Sequence, residues 1–190
     1  MTNQLTPQQF ESQNQRSLQR LARAISFSQG QFSLILVSCN YSYLQTKVIK
    51  QLQQKLPEAE TIQNITLAPE VTTLYTTLLE RIATPTPSAI MVMGLDRVEA
   101  LETLLSSTNQ VRDEFRKNFS CPLVLWITDI LAKKLIRLAP DFKSWAAATI
   151  KFEMATPDLI KSLTLQGNTL FSLAELRIRS GELIAQPPVL

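Results

Sequence analysis

The chain has 190 residues, 45% hydrophobic and 18% charged, with 19 Lys and Arg against 16 Asp and Glu and a formal charge of +3. That is enough apolar material for one buried core, and it excludes a disordered chain. The chain has no histidine, which excludes Ser-His-Asp and Cys-His catalysis and removes the commonest metal ligand.

Thr6-Pro7-Gln8-Gln9 opens the first helix, with Thr6 as N-cap and Gln9 completing a capping box. Leu18, Leu21, Ala22 and Ile25 form its apolar stripe. Arg16, Arg20 and Arg23 lie mostly off that stripe, either as an anion-binding face or as an ordinary solvated surface. Gly30 ends the segment. The apolar run Phe32-Ser33-Leu34-Ile35-Leu36-Val37 predicts a buried strand, followed by a polar turn, Ser38-Cys39-Asn40-Tyr41, and a helix from about Tyr43 to Leu56. Ser42 and Gln45 give that helix a second capping box. Strand, turn and helix in this order is where many α/β proteins hold a phosphate.

A second strand is expected over 61–67. Pro69 and Glu70 then start a third helix, with Val71, Leu74, Tyr75, Leu78, Leu79 and Ile82 at helical spacing. Ala89-Ile90-Met91-Val92-Met93 is apolar throughout, as a parallel strand covered on both faces should be. Gly94-Leu95-Asp96 leads into a long helix reaching about Asn118, with Asp96 and Glu99 as its capping signature. Pro122-Leu123-Val124-Leu125-Trp126-Ile127 is a fourth strand, and Thr128-Asp129 caps the next helix. Ala139-Pro140-Asp141-Phe142 reads as a turn, and Trp145 begins a segment ending in a short strand over 149–152. Cys39 and Cys121 each lie beside a predicted strand, which reads as two free, reduced thiols rather than a zinc site.

Alternating strands and helices predict an α/β three-layer sandwich, with a five-stranded, mostly parallel sheet and an N-terminal helix, over residues 1–155. Residues 156–190 read as a small C-terminal appendage or linker. A short helix starts at Thr156-Pro157-Asp158, and Leu176-Arg177-Ile178-Arg179-Ser180-Gly181-Glu182-Leu183-Ile184 forms either a hairpin or a helix capped by Gly181.

Several pieces resemble a known family in combination. They are Phe32-Ser33-Leu34-Ile35-Leu36 with Cys39-Asn40-Tyr41, Met93-Gly94-Leu95-Asp96, Asn109-Gln110-Val111-Arg112-Asp113-Glu114-Phe115, Pro122-Leu123-Val124-Leu125-Trp126, and Ala139-Pro140-Asp141-Phe142 with Ser144-Trp145. Over roughly residues 15–153 the chain resembles the degenerate P-loop NTPase-like, STAND- or AAA-like N-terminal module of bacterial, chiefly cyanobacterial, multidomain signalling proteins. The resemblance implies a sheet of the P-loop NTPase type. It places Ser38 to Lys47 at the phosphate loop and Met93 to Asp96 at the acidic, magnesium-side strand end. A working phosphate loop reads G-x-x-x-x-G-K-[ST]. Here there is no glycine, Lys47 is followed by Val48, and Gly94 stands where the acidic residue belongs.

The expected function is therefore a non-catalytic scaffold or protein-interaction module in signalling or assembly, not an enzyme, with no cofactor and no metal. The alternatives are a weak nucleotide- or anion-binding regulatory domain using Asn40, Ser42, Thr46 and Lys47, and an ATPase with an unusual loop. Asn109 and Arg112 either meet a partner or tie their helix to the following strand. Asp141 and Trp145 are either a recognition patch or a local turn with a core anchor. A protein partner is expected; a nucleic-acid partner is not, since the basic excess is mild. No apolar run is long enough to span a bilayer, and Met1-Thr2-Asn3-Gln4 does not open a signal peptide, so a cytoplasmic protein is expected.

Overall fold

The computed structural model describes residues 6–56 and 61–155, together with residues 160 and 164. The appendage expected over 156–190, with its helix and hairpin, lies outside the described residues except for these two positions. The chain divides into two compact units, Glu11–Glu153 and a smaller one made of Met1–Phe10 with Met154–Leu190. In the smaller unit the capping box at Thr6 is present. The Thr6 N–H donates to Gln9 Oε1 at 2.7 Å, and the Gln9 N–H donates to Thr6 Oγ1 at 3.4 Å.

The described residues form five strands: β1 (Ser33–Cys39), β3 (Ala89–Met93) and β4 (Pro122–Ile127) on apolar runs, and the more polar β2 (Ile62–Thr66) and β5 (Ile150–Phe152). They make one sheet in the order β2-β3-β4-β1-β5, parallel at every pairing. The helices are α1 (Pro7–Phe27), α2 (Ser42–Lys55), α3 (Leu74–Arg81), α4 (Leu101–Gln110), α5 (Arg112–Asn118), α6 (Asp129–Leu138) and α7 (Pro140–Ser144). The fold class is the expected α/β type.

Strand side chains alternate between faces. Leu34 and Leu36 of β1, Ile90 and Val92 of β3, and Leu123 and Leu125 of β4 share one core cluster with Leu74, Leu104, Phe115, Leu131 and Phe142 of helices α3 to α7. The alternate residues Ile35, Val37, Met91, Val124 and Trp126 are also buried. The helices left to cover their face are α1 and α2, whose Leu18, Leu21, Ile25, Leu44, Val48 and Leu52 are all buried.

α1 has a second task. β5 is an edge strand, and its outward backbone groups need partners. Ser17 Oγ donates to the Lys151 carbonyl at 2.7 Å, Asn14 Nδ2 donates to the Glu153 carbonyl at 2.7 Å, and the Glu153 N–H donates to Asn14 Oδ1 at 3.1 Å. A helix thus closes the open edge with side chains.

Several boundaries differ from expectation. Ser38 and Cys39 belong to β1 rather than to a turn, because each still pairs with a β5 residue (Lys151 and Phe152). α2 begins at Ser42, so Ser42 is not its N-cap; that position is Tyr41, and no side chain caps it. Pro69 and Glu70 do not start α3. They form a turn closed by the Val71 N–H on the Ala68 carbonyl at 3.2 Å, and the β-branched Val71, Thr72 and Thr73 delay the helix to Leu74. The long helix over 96–118 is three pieces: a 3-10 turn at Leu95–Arg97, then α4 and α5 separated at Val111. Asp96 and Glu99 form no cap; the Glu99 N–H goes instead to the Pro69 carbonyl at 3.0 Å. Pro140–Ser144 is a short helix rather than a turn.

Candidate functional site

The carboxyl ends of β1, β3 and β4 meet at one edge of the sheet, the place where open parallel sheets bind ligands. Only two residues, Asn40 and Tyr41, connect β1 to α2. The register pairs Ser38 with Ile127. Two residues beyond that pair on each strand, this sets Asn40 beside Asp129. Ser38 Oγ donates to Asp129 Oδ1 at 2.8 Å, Asn40 Nδ2 donates to Asp129 Oδ2 at 2.8 Å, and the Asp129 N–H donates back to Asn40 Oδ1 at 2.9 Å. The Asn40 bond first, then the Ser38 bond, with smaller contributions from the Lys151 and Lys133 charges, holds the Asp129 carboxyl below its ordinary pKa. A fixed anion therefore stands at the strand edge, with both carboxylate oxygens held by donors from β1 and the turn after it.

Thr128, not Asp129, caps α6: its Oγ1 accepts from the Leu131 N–H at 3.2 Å. Two clefts flank the pair. One, of about 370 Å³, is bordered by Asn40, Ser42, Gln45, Gly94, Asp96 and Arg97. The other, of about 470 Å³, is bordered by Asn40, Asp96, Leu101, Asp129, Ile130 and Lys134. Gly94 follows β3 with φ +80°, and a Cβ there would sit 3.0 Å from the Leu67 carbonyl oxygen. The Leu67 N–H donates to the Met93 carbonyl at 2.9 Å, which draws the two chain segments together at this point.

The four residues expected at a phosphate turn separate. Asn40 and Ser42 border the smaller cleft. Thr46 turns its hydroxyl onto the Ser42 carbonyl at 3.0 Å, and Lys47 pairs with Glu11 of α1 at 3.8 Å. Neither borders either cleft. Asp129, which from sequence is a strand-end residue and a helix cap, is the central group, and Ser38 joins it. The signal that points to them is positional: each stands at the end of an apolar run, and the two strands that carry those runs lie side by side.

Asn109, Arg112 and Asp141 come together elsewhere, at the α4–α5 break. Asn109 Nδ2 donates to Asp141 Oδ2 at 3.2 Å, and Asn109 Oδ1 accepts from the Phe142 N–H at 3.0 Å. Arg112 donates to the Asn109 carbonyl at 3.0 Å and lies 3.7 Å from Asp141 Oδ2. The network fastens the break to α7 rather than to the following strand. Trp145 packs its ring edge-on to Phe32 at 6.0 Å, and the Arg116 guanidinium lies over it at 4.6 Å.

Among the described residues no group of three His, Cys, Asp or Glu could hold a metal ion, and no helix is long and apolar enough to cross a membrane. Cys39 and Cys121 are free and buried.

No family model matches the chain, and no curated protein matches it. Among solved structures it is similar to a DNA polymerase III gamma subunit-related protein from Thermotoga maritima, at 16% identity and a TM-score of 0.42, over 77% of this chain and 49% of that one. The chain thus spans about half the length of that protein.

Proposed function

We propose that this domain is a non-catalytic scaffold, a protein-interaction module of P-loop-like outline serving signalling or assembly, in keeping with the STAND-like resemblance of its sequence. The observation that carries this reading is the two-residue connection between β1 and α2, with the Asp129 carboxylate fixed beside it. A phosphate cradle needs a longer, glycine-rich loop whose N–H groups wrap the anion. A bound phosphate at this edge would instead face a carboxylate at close range. NTP hydrolysis depends almost wholly on positioning the phosphates and their magnesium, and neither holding element is built here.

A second reading rests on one specific observation. α2 has 14 residues and no side-chain cap, so its first N–H groups and positive dipole end remain available beside the smaller cleft. That would suit weak binding of a nucleotide or a simple anion by Asn40 and Ser42.

Calorimetric titration of ATP, ADP and GTP with magnesium into the chain separates the two. The scaffold reading expects no binding heat at millimolar nucleotide. Micromolar binding would overturn it, and its loss in Asn40→Ala but not in Lys47→Ala would locate the site at the smaller cleft.

A further inference from the structure

The basic residues are not spread evenly. Residues 1–57 carry six cations, Arg16, Arg20, Arg23, Lys47, Lys50 and Lys55, against one carboxylate, Glu11, a local balance of +5 in a chain of +3. All six side chains are exposed and lie on α1 and α2. These two helices are neighbours, since Lys47 reaches Glu11 at 3.8 Å.

Within this region one feature is ordered. Arg16, Arg20, Arg23 and Phe27 follow one another at intervals of four, three and four residues, which places them in a single line along α1. The line lies opposite the buried stripe of Leu18, Leu21 and Ile25. The outer two arginines are roughly 10 Å apart along the axis. None of the three has a carboxylate partner among the described residues. Phe27, at the end of the line, is 80% exposed.

The neighbours on this face are Ser12, Gln13 and Gln19, all exposed. A protein docking here would find a single apolar residue, too little for the desolvated centre a stable interface needs. A phosphodiester backbone needs what is present: forked guanidinium donors, neutral amide and hydroxyl donors, and no carboxylate on the line. An exposed aromatic ring at the end of a cationic track suits an unpaired base, which offers a flat face to stack on.

We propose that the outer face of α1 binds a single-stranded polynucleotide, with Arg16, Arg20 and Arg23 on successive phosphates and Phe27 stacked on a base. This goes beyond the scaffold reading and revises the sequence expectation that nucleic acid is not a partner. The overall charge is mild because the excess at this face is offset elsewhere in the chain. The surface is separate from the strand edge at Asp129, so either reading can fail without the other.

The test is fluorescence anisotropy of a labelled oligothymidylate titrated with the full chain. We expect saturable binding at low salt that weakens with added salt, with a log–log slope of about −2 for three phosphates. Replacing the three arginines together (R16Q, R20Q and R23Q) should weaken binding on the order of a hundredfold at low salt. Phe27→Ala should weaken it roughly tenfold with the slope unchanged. All four side chains are exposed, and a thermal midpoint matching the wild type confirms that each variant is folded. Three results would overturn the proposal: an affinity that the arginine replacements leave unchanged, a duplex of the same length bound as tightly, or a polyglutamate peptide bound more tightly than the oligothymidylate.

Discussion

Asn40 and Asp129, 89 residues apart in the chain, form a closed pair in which a side-chain amide donates to a carboxylate and accepts from the same residue's backbone N–H. The pair exists because β1 and β4 lie side by side and parallel, so the two residues leaving their ends emerge at the same height.

The pair makes stability depend on acid. The Asp129 carboxyl is held below its ordinary pKa by Asn40 and then by Ser38. Its contribution is therefore fully present above the unfolded value of ~4 and is lost as the pH falls through the lower folded value. Urea unfolding of wild type and Asp129→Ala should differ at pH 7, and that difference should shrink at pH 3. A difference equal at both pH values would mean that the carboxylate charge plays no part in the contact.

Gly94 and Gly30 share a positive φ, +80° and +75°, but only Gly94 has close neighbours. Gly30→Ala should cost about 1 kcal/mol, the strain of a left-handed alanine. Gly94→Ala should cost about 3 kcal/mol, because its Cβ must also displace the Leu67 carbonyl at 3.0 Å. Chemical denaturation of the two variants side by side checks the ordering.

At the α4–α5 break the amide, and not the ion pair, should carry the stability. Arg112 and Asp141 are 3.7 Å apart with side chains 32% and 60% exposed, so Asp141→Ala should cost under about 1 kcal/mol. Asn109→Ala removes the acceptor of the part-buried Phe142 N–H and should cost about 1–3 kcal/mol. A double-mutant cycle on the two positions, read by urea unfolding, measures their coupling.

Burial pushes the Cys121 thiol up to about 11 and raises that of Cys39 as well. Cys121 should react with a thiol reagent at neutral pH roughly a hundredfold more slowly than a free thiol, and Cys39 more slowly than a free thiol as well. Both should react at once in denaturant. Counting the reactive thiols before and after guanidinium addition checks this.

The middle of the sheet was legible because its strands are written as apolar runs that need no context: Ala89 to Met93 and Pro122 to Ile127 cannot be anything solvated. The Thr6 and Thr128 caps were legible because capping is a matter of a few adjacent residues. What stayed hidden depends on register or on distant partners. Ser42 has the spacing of a cap, yet β1 runs on through Cys39 because β5 pairs with it, and the helix starts one residue early. The break at Val111 interrupts a continuous helical pattern, and the Asn109 amide that secures it finds its partners at Asp141 and Phe142. Asn14 and Ser17 look like ordinary surface residues of a polar helix; nothing local marks them as partners of a strand more than 130 residues away.

That last contact also bears on the order in which the chain can be built. α1 leaves the ribosome well before the backbone it closes on, at Lys151 and Glu153, which emerges 134 to 139 residues later. β1 waits too, since both its neighbours, β4 and β5, are encoded downstream. A nascent chain halted anywhere before β5 therefore carries a helix with no strand to close on and a central strand open on at least one side, which makes it a substrate for chaperones until β5 arrives.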